Sequence, residues 1–300
     1  MDIFSHIQVL IVSFGMCLNG IFVLTIFKRP FQSPFTTIMI GCQGLFDGII
    51  CLLTLMIILI PPMTEVTDNP FLNFIMCNIW TSQFPIWIFI EASVQNLVCT
   101  AGDRYLAVLK PSTYRLNKRR FLYGSLTYMI AMSLIIPLPA LVEVRIVNKT
   151  CYVQNAFDGE EFARFISGVS VLWSFSVFFI PATYLIIIYT RIIIKLRGSV
   201  TPDMSDSDQE KQKNTRRLTI STFLVTVIFI TTFFFDSTWY LLSCWQVVAY
   251  STGSFIQRTG VFFVTLNSVI SPLPYFITMK KFRYRLYSLC KPYYIKKIDI

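Results

Sequence analysis

The chain has 300 residues, 54% of them hydrophobic and 14% charged, with a mean hydropathy of +0.61. That balance excludes an ordinary soluble domain and makes the lipid bilayer the expected solvent. The net charge of +10 would suit nucleic acid by amount alone, but its placement points to anionic inner-leaflet lipid and to no nucleic-acid partner.

A hydrocarbon core about 30 Å thick takes roughly 20 apolar residues of helix to cross, and the chain offers seven such runs. They lie near residues 8–27, 36–60, 79–101, 121–142, 165–190, 218–246 and 259–278, followed by a tail over 279–300. The first lacks the positively charged start of a secretory signal, because no Lys or Arg precedes Lys28, and is expected to be a retained span. The joints are short and carry no internal repeat, so residues 1–300 read as one all-α, seven-transmembrane helix bundle. Only GSVTPDMSDSDQEKQKNTRR, residues 198–217, is poor in apolar residues, and it reads as a mobile loop.

Lys and Arg accumulate on the cytoplasmic side of a membrane. With the amino terminus outside, 22 of the 26 basic residues fall on inner segments; only Arg145, Lys149, Arg164 and Arg258 stay outside. This predicts a plasma-membrane protein with its amino terminus out and its carboxyl terminus in the cytoplasm. Arg104 then sits at the inner end of the third span, where its charge escapes the roughly 2.5–3.5 kcal/mol cost of a helix centre.

The segment DRYLAVLKPSTYR, residues 103–115, with Pro111 and Tyr114 after its Asp103-Arg104-Tyr105 start, resembles the end of the third helix and second inner loop of rhodopsin-like (class A) G protein-coupled receptors. The resemblance extends through Asn19 in CLNGIFVLTIF and Asp47 in GLFDGI, 28 residues apart, and through Pro181 and Tyr189 in FFIPATYLIIIYTRI. It ends in NSVISPLPYFITMKKF, where Pro272 and Tyr275 form Pro-x-x-Tyr and Phe282 opens a short cytoplasmic amphipathic helix. Departures are specific. Ser271 stands where the family has Asn, Phe233 and Phe235 replace the usual Trp and Pro of TTFFFDSTWYLL, and the fourth span lacks its Trp. A missing Pro matters because Pro removes a backbone hydrogen bond and kinks the helix. These departures and the short outer amino terminus resemble a divergent invertebrate orphan or chemosensory receptor, with a small molecule, odorant or short peptide as ligand. Thr265 occupies the position where a retinal-binding relative has Lys, so an opsin is not expected.

Polar residues inside spans are functional candidates by default. Asp47 lies about 16 Å into its span at 1.5 Å per residue, and Ser93, Asn267, Ser268, Ser271 and Asn19 fall at comparable depth. The resemblance makes Asp47, Ser93, Asn267, Ser268 and Ser271 a sodium site acting as an allosteric control, with oxygen ligands for a hard cation; no other cofactor or metal is implied. The alternative is a hydrogen-bonded core that only holds helices together.

Glu91 precedes Arg104 by 13 residues, about 20 Å toward the outside. Asp236 is similarly displaced in the sixth span, one helical turn beyond the Phe233 switch position, with Phe234, Phe235 and Trp239 as expected aromatic neighbours. Glu91, Phe233, Asp236 and Trp239 are therefore read as a ligand pocket suited to a cation. A neutral acid hydrogen-bonded between helices is the competing reading for Glu91.

Following the resemblance, Cys77 and Cys151 are expected to form a disulfide in the oxidising exterior, with Cys77 two residues farther from Arg104 than the family has. Cys17, Cys42, Cys51, Cys99 and Cys244 read as small apolar core residues and Cys290 as either a palmitoylation site or a free thiol. Asn148 heads an Asn-Lys-Thr glycosylation sequon.

No catalytic triad or phosphate-cradling loop is present in the sequence, so an enzyme is not expected. The resemblance implies a receptor that activates a heterotrimeric G protein, with Asp103, Arg104, Tyr105, Pro111, Tyr189, Pro272 and Tyr275 as coupling and switch residues. KNTRRLTI, at the inner end of the sixth span, holds no acid to restrain Arg104, which predicts measurable basal activity. A transporter or channel is the rival, but the paired repeats and broken helices of transporters are missing from the sequence.

Overall fold

The computed structural model describes residues 3–28, 30–31, 33–60, 68–142, 144–147, 150–153, 168–197, 206–245, 247–248, 254–280 and 282–284. Seven helices are long and apolar enough to cross a membrane. They are α1 (Ile3–Lys28), α2 (Pro34–Leu59), α3 (Phe84–Leu109), α4 (Pro111–Ile135), α5 (Gly168–Arg197), α6 (Asp206–Cys244) and α7 (Phe255–Ile270), the last continued by α8 (Leu273–Thr278). A core of Phe22, Ile40, Leu97, Leu185, Phe229 and Tyr275, among others, runs down the bundle axis.

Local sequence decides where helices start. Pro34 follows the capping residue Ser33 at the head of α2, and Pro111 opens α4 directly after Lys110, because Pro at the first helical position loses no hydrogen bond and has its φ already set. The fourth helix thus begins ten residues before the expected 121, and the second inner connection is helical instead of a loop.

The third span differs too. Its α-helix begins at Phe84 instead of 79, preceded by a π-helical stretch over Phe74–Thr81 and by Gln83 in the left-handed region at φ 58°. Such a backbone costs roughly 1–2 kcal/mol for a residue with a Cβ, and Cys77 lies within the π-helical stretch.

Of the expected loop over 198–217, residues 206–217 are helical, since α6 starts at Asp206, and residues 198–205 lie outside the described residues. In sequence, Asp206, Asp208 and Glu210 precede Lys211, Lys213, Arg216 and Arg217, the order that suits a helix dipole. With no Pro inside it, α6 runs as one unbroken α-helix. α5 carries a π-helical segment at Phe175–Phe179, just before Pro181. The second outer connection adds an antiparallel hairpin, β1 (Val144–Val147) and β2 (Thr150–Val153), paired Val144 with Val153 and Val147 with Thr150. Of the expected helix after the seventh span, residues 282–284 are helical, and the rest lies outside the described residues.

Candidate functional site

Three polar centres lie along the bundle. At the inner end of α3, Asp103 and Arg104 are 1% and 4% exposed. Arg104 donates from Nε to Asp103 Oδ2 at 3.0 Å, and from Nη2 to the same oxygen and to Thr36 Oγ1. Thr36 comes from the first turn of α2, which Ser33 caps. Tyr114, one turn into α4 because Pro111 starts that helix early, donates to Asp103 Oδ1. Its phenol is pushed up to about 12, first by burial and then by the Asp103 charge, so it remains a donor across the physiological range.

Not every expected switch residue joins this centre. Tyr105 is half-buried against the main core. Tyr275 packs at 5.1 Å from Phe22 and 6.2 Å from Phe282, and Pro272 marks the break between α7 and α8. Tyr189 packs at 5.6 Å from Phe223 of α6, and its buried hydroxyl makes no hydrogen bond. The inner end of α6 is fastened by a hydroxyl pair, Ser221 with Thr278 of α8.

The second centre surrounds Asp47, which is wholly buried. Ser93 Oγ donates to its Oδ1 at 2.9 Å, while Gln43 Nε2 at 3.1 Å and Ser271 Oγ donate to Oδ2. Ser268 lies against the same carboxylate. Gln43 also donates to Ser93 Oγ at 2.6 Å, and its own Oε1 accepts from Asn96 Nδ2 at 2.8 Å. Asp47, Ser93, Ser268 and Ser271 therefore meet, whereas the Asn267 side-chain oxygen has no hydrogen-bond partner and Asn19 is engaged elsewhere, donating to the carbonyls of Gly15 and Ser268. The sequence reading missed Gln43 and Asn96. Their signal was available: both are amides inside lipid-length spans, Gln43 one turn before Asp47 and Asn96 three residues after Ser93.

Oxygen ligands alone would suit sodium here, but the donor set does not fit it. The hydroxyls can rotate to offer lone pairs; the Gln43 amide nitrogen cannot.

In the outer half, Glu91 is 2% exposed and accepts from Gln95 through one oxygen, while the other has no hydrogen-bond partner. Phe233 packs on Phe229 at 4.7 Å, and Trp239 on Phe235 at 6.0 Å. Phe234 is a correction: it is 57% exposed and faces outward, since it lies two positions from Asp236 around a helix of 3.6 residues per turn. A further aromatic group was missed. Trp87, one turn outside Glu91, meets Trp173 of α5 at 5.1 Å, and Trp173 meets Tyr240 of α6 at 5.2 Å.

Asp236 is buried where α6 meets α7: a Cβ added at Gly260 would lie 2.1 Å from its Oδ1 and 3.2 Å from its own Cβ. Gly260→Ala is expected to cost about 1–3 kcal/mol as overpacking and to lower the melting temperature by about 2–12 °C. Adding Asp236→Ala should recover most of that loss in the same thermal scan, because it removes the group that clashes.

The Cys77–Cys151 disulfide joins the π-helical lead of α3 to β2, with Cα atoms 5.6 Å apart. Cys51 and Cys99 are buried and Cys42 and Cys244 half-buried, but Cys17 is exposed on α1 rather than in the core. Asn148 and Cys290 lie outside the described residues. Among the described residues, no group of three His, Cys, Asp or Glu side chains stands together as a metal site.

Comparison with known proteins gives a consistent picture. A family model described as 7 transmembrane receptor (rhodopsin family) matches residues 21–275. The chain is 27% identical over 230 residues to Tachykinin-like peptides receptor 99D of Drosophila melanogaster, covering 73% of this chain and 44% of that receptor. It is 30% identical over 129 residues to 5-hydroxytryptamine receptor 2B of Dichotomyctere fluviatilis, covering 39% and 26%. It is 26% identical over 148 residues to Muscarinic acetylcholine receptor M4 of Gallus gallus, covering 47% and 28%. The matches thus span less than half the length of each of these relatives.

Proposed function

The chain belongs to the rhodopsin family of seven-transmembrane receptors, and on that premise we propose that it is a cell-surface receptor that binds an extracellular ligand and activates a heterotrimeric G protein. The ligand is a small molecule or short peptide, the two kinds that the relatives' names carry. The amino terminus faces outside, as the crowding of Lys and Arg on the inner segments supports.

The observation that carries this reading is the closed Asp103–Arg104 pair at the inner end of α3. A buried guanidinium is tolerated only while it is paired and hydrogen-bonded, so Asp103 and Thr36 define one arrangement of Arg104. A protein partner docking at the inner face offers a second, in which Arg104 turns outward and Tyr189, whose hydroxyl makes no hydrogen bond in this arrangement, closes in with Tyr275. A ligand in the outer half shifts the balance by binding one arrangement more tightly.

A cationic ligand suits that outer half. Glu91 and Asp236 supply carboxylates, and Trp87, Trp173 and Tyr240 offer ring faces across α3, α5 and α6, where cation–π contact contributes about 0.5–2 kcal/mol.

The test is nucleotide exchange on G proteins in membranes carrying wild type or Arg104→Ala at matched surface expression, with a panel of amines and short basic peptides. Wild type should exceed vector-only membranes without ligand, a panel member should raise it further, and Arg104→Ala should fall to the vector-only level. Wild-type exchange equal to vector-only, unmoved by the whole panel across several G proteins, would overturn the reading.

A further inference from the structure

We propose that the Gln43 side-chain amide takes the place of a sodium ion at Asp47, so that this receptor's conformational balance is independent of sodium. The inference does not rest on G protein coupling and stands or falls separately from it.

A hydrogen-bond chain of fixed polarity runs from α2 to Asp47. It begins at the Met39 carbonyl, which can only accept. Asn96 Nδ2 donates to it at 2.9 Å and, with its other hydrogen, to Gln43 Oε1 at 2.8 Å. Gln43 must then present its nitrogen on the opposite side, and there both N–H hydrogens are used, on Asp47 Oδ2 at 3.1 Å and on Ser93 Oγ at 2.6 Å. Ser93 passes its own proton to Asp47 Oδ1, and Ser271 donates to Oδ2.

Reversing the amide would aim Oε1 at the carboxylate, where it could ligate a cation. That reversal sets the Gln43 nitrogen against the Asn96 nitrogen, and turning Asn96 as well sets its oxygen against the Met39 carbonyl. Each alternative leaves like atoms facing one another in a buried site, at the cost of unmade hydrogen bonds. The backbone of α2 therefore fixes which end of Gln43 meets Asp47. Hydrogens, which a cation repels, stand where a cation's ligands would have to be.

Gln43 does for Asp47 part of what a bound cation would do. It supplies a positive dipole end to each of two oxygens, Asp47 Oδ2 and Ser93 Oγ, and ties α2 to α3, with Ser271 adding α7. Because the group is tethered, it does not depend on concentration in the medium.

The experiment measures thermal unfolding of the protein in lipid nanodiscs, in sodium chloride against potassium chloride at equal ionic strength. Wild type should melt at the same temperature in both, within about 1 °C. Gln43→Ala, which removes the tethered donors and opens the space, should melt about 3 °C higher in sodium, the size expected for a ligand present at several times its dissociation constant. Asn96→Leu gives a second route should Gln43→Ala fail to fold. It frees Gln43 to turn over and bring Oε1 to Asp47, and it should gain the same sodium dependence. A wild type stabilised by sodium over potassium would overturn the proposal. So would folded variants as indifferent as wild type, since something other than the amide would then be keeping sodium out.

Discussion

Asp103→Asn is expected to raise basal nucleotide exchange about five- to tenfold over wild type at equal surface expression, and the double variant with Arg104→Ala to return it to the vector-only level. The carboxylate accepts from Arg104 twice, from Thr36 at 3.4 Å and from Tyr114. Asparagine keeps the shape but removes the charge and turns one acceptor into a donor, which must face either the guanidinium or the phenol, both donors themselves. Breaking a buried ion pair by changing one partner costs about 3–5 kcal/mol. Only the share that distinguishes the two arrangements of Arg104 appears as activity, and coupling terms of about 1–3 kcal/mol are usual. Raising the pH through the physiological range should not imitate the variant, since Tyr114 holds its proton up to about 12. Among the described residues, no acid of α6 pairs with Arg104, and α6 is fastened instead by the neutral Ser221–Thr278 pair. The starting level should accordingly be above zero, which gives the rise a measurable baseline. An unchanged basal rate in Asp103→Asn would mean that the closed pair does not restrain coupling.

How much of this could be read from the sequence depends on what each feature rests on. The seven spans follow from transfer of apolar side chains into lipid, a summed effect that survives errors at single residues, and all seven are present. Boundaries rest on single residues and fared worse. Pro111, read as part of a motif, also starts α4, and the third span is led by a π-helical stretch that hydropathy does not register. The polar stretch over 206–217 read as a loop because composition was weighed without charge order.

The site shows the same division. Asp47, Ser93 and Ser271 were grouped by the family resemblance, and they do meet. What controls their chemistry is the direction of the Gln43 amide, which follows from a carbonyl on α2 and an amide on α3, and no one-dimensional pattern encodes that direction. Trp87, Trp173 and Tyr240 come from three helices and are brought together only by packing. Asp236 was singled out as a pocket acid, but its close fit against Gly260 needed the α6–α7 contact to be seen.

Cys151→Ser is expected to lower the melting temperature markedly and to reduce the folded fraction at the cell surface, with Cys77→Ser and the double variant no worse than either single change. The bond closes a loop with a sequence separation of 74, and disulfides of that reach contribute about 2–4 kcal/mol, mainly by restricting the unfolded chain. Folded-state contacts share the load. Cys77 and Cys151 pack with Val144 of the hairpin, and Asn78 donates to the carbonyls of Leu141 at 3.0 Å and Val144 at 3.4 Å. Some hold on the hairpin should therefore survive the loss of the bond, and the variants should be destabilised rather than unfolded. The same bond also tests orientation. Disulfides persist on the oxidising side of a membrane, so a membrane-impermeant thiol reductant applied to intact cells should reproduce the Cys151→Ser phenotype if the hairpin lies outside. Loss of stability only after the cells are opened would place the hairpin, and with it the amino terminus, on the cytoplasmic side.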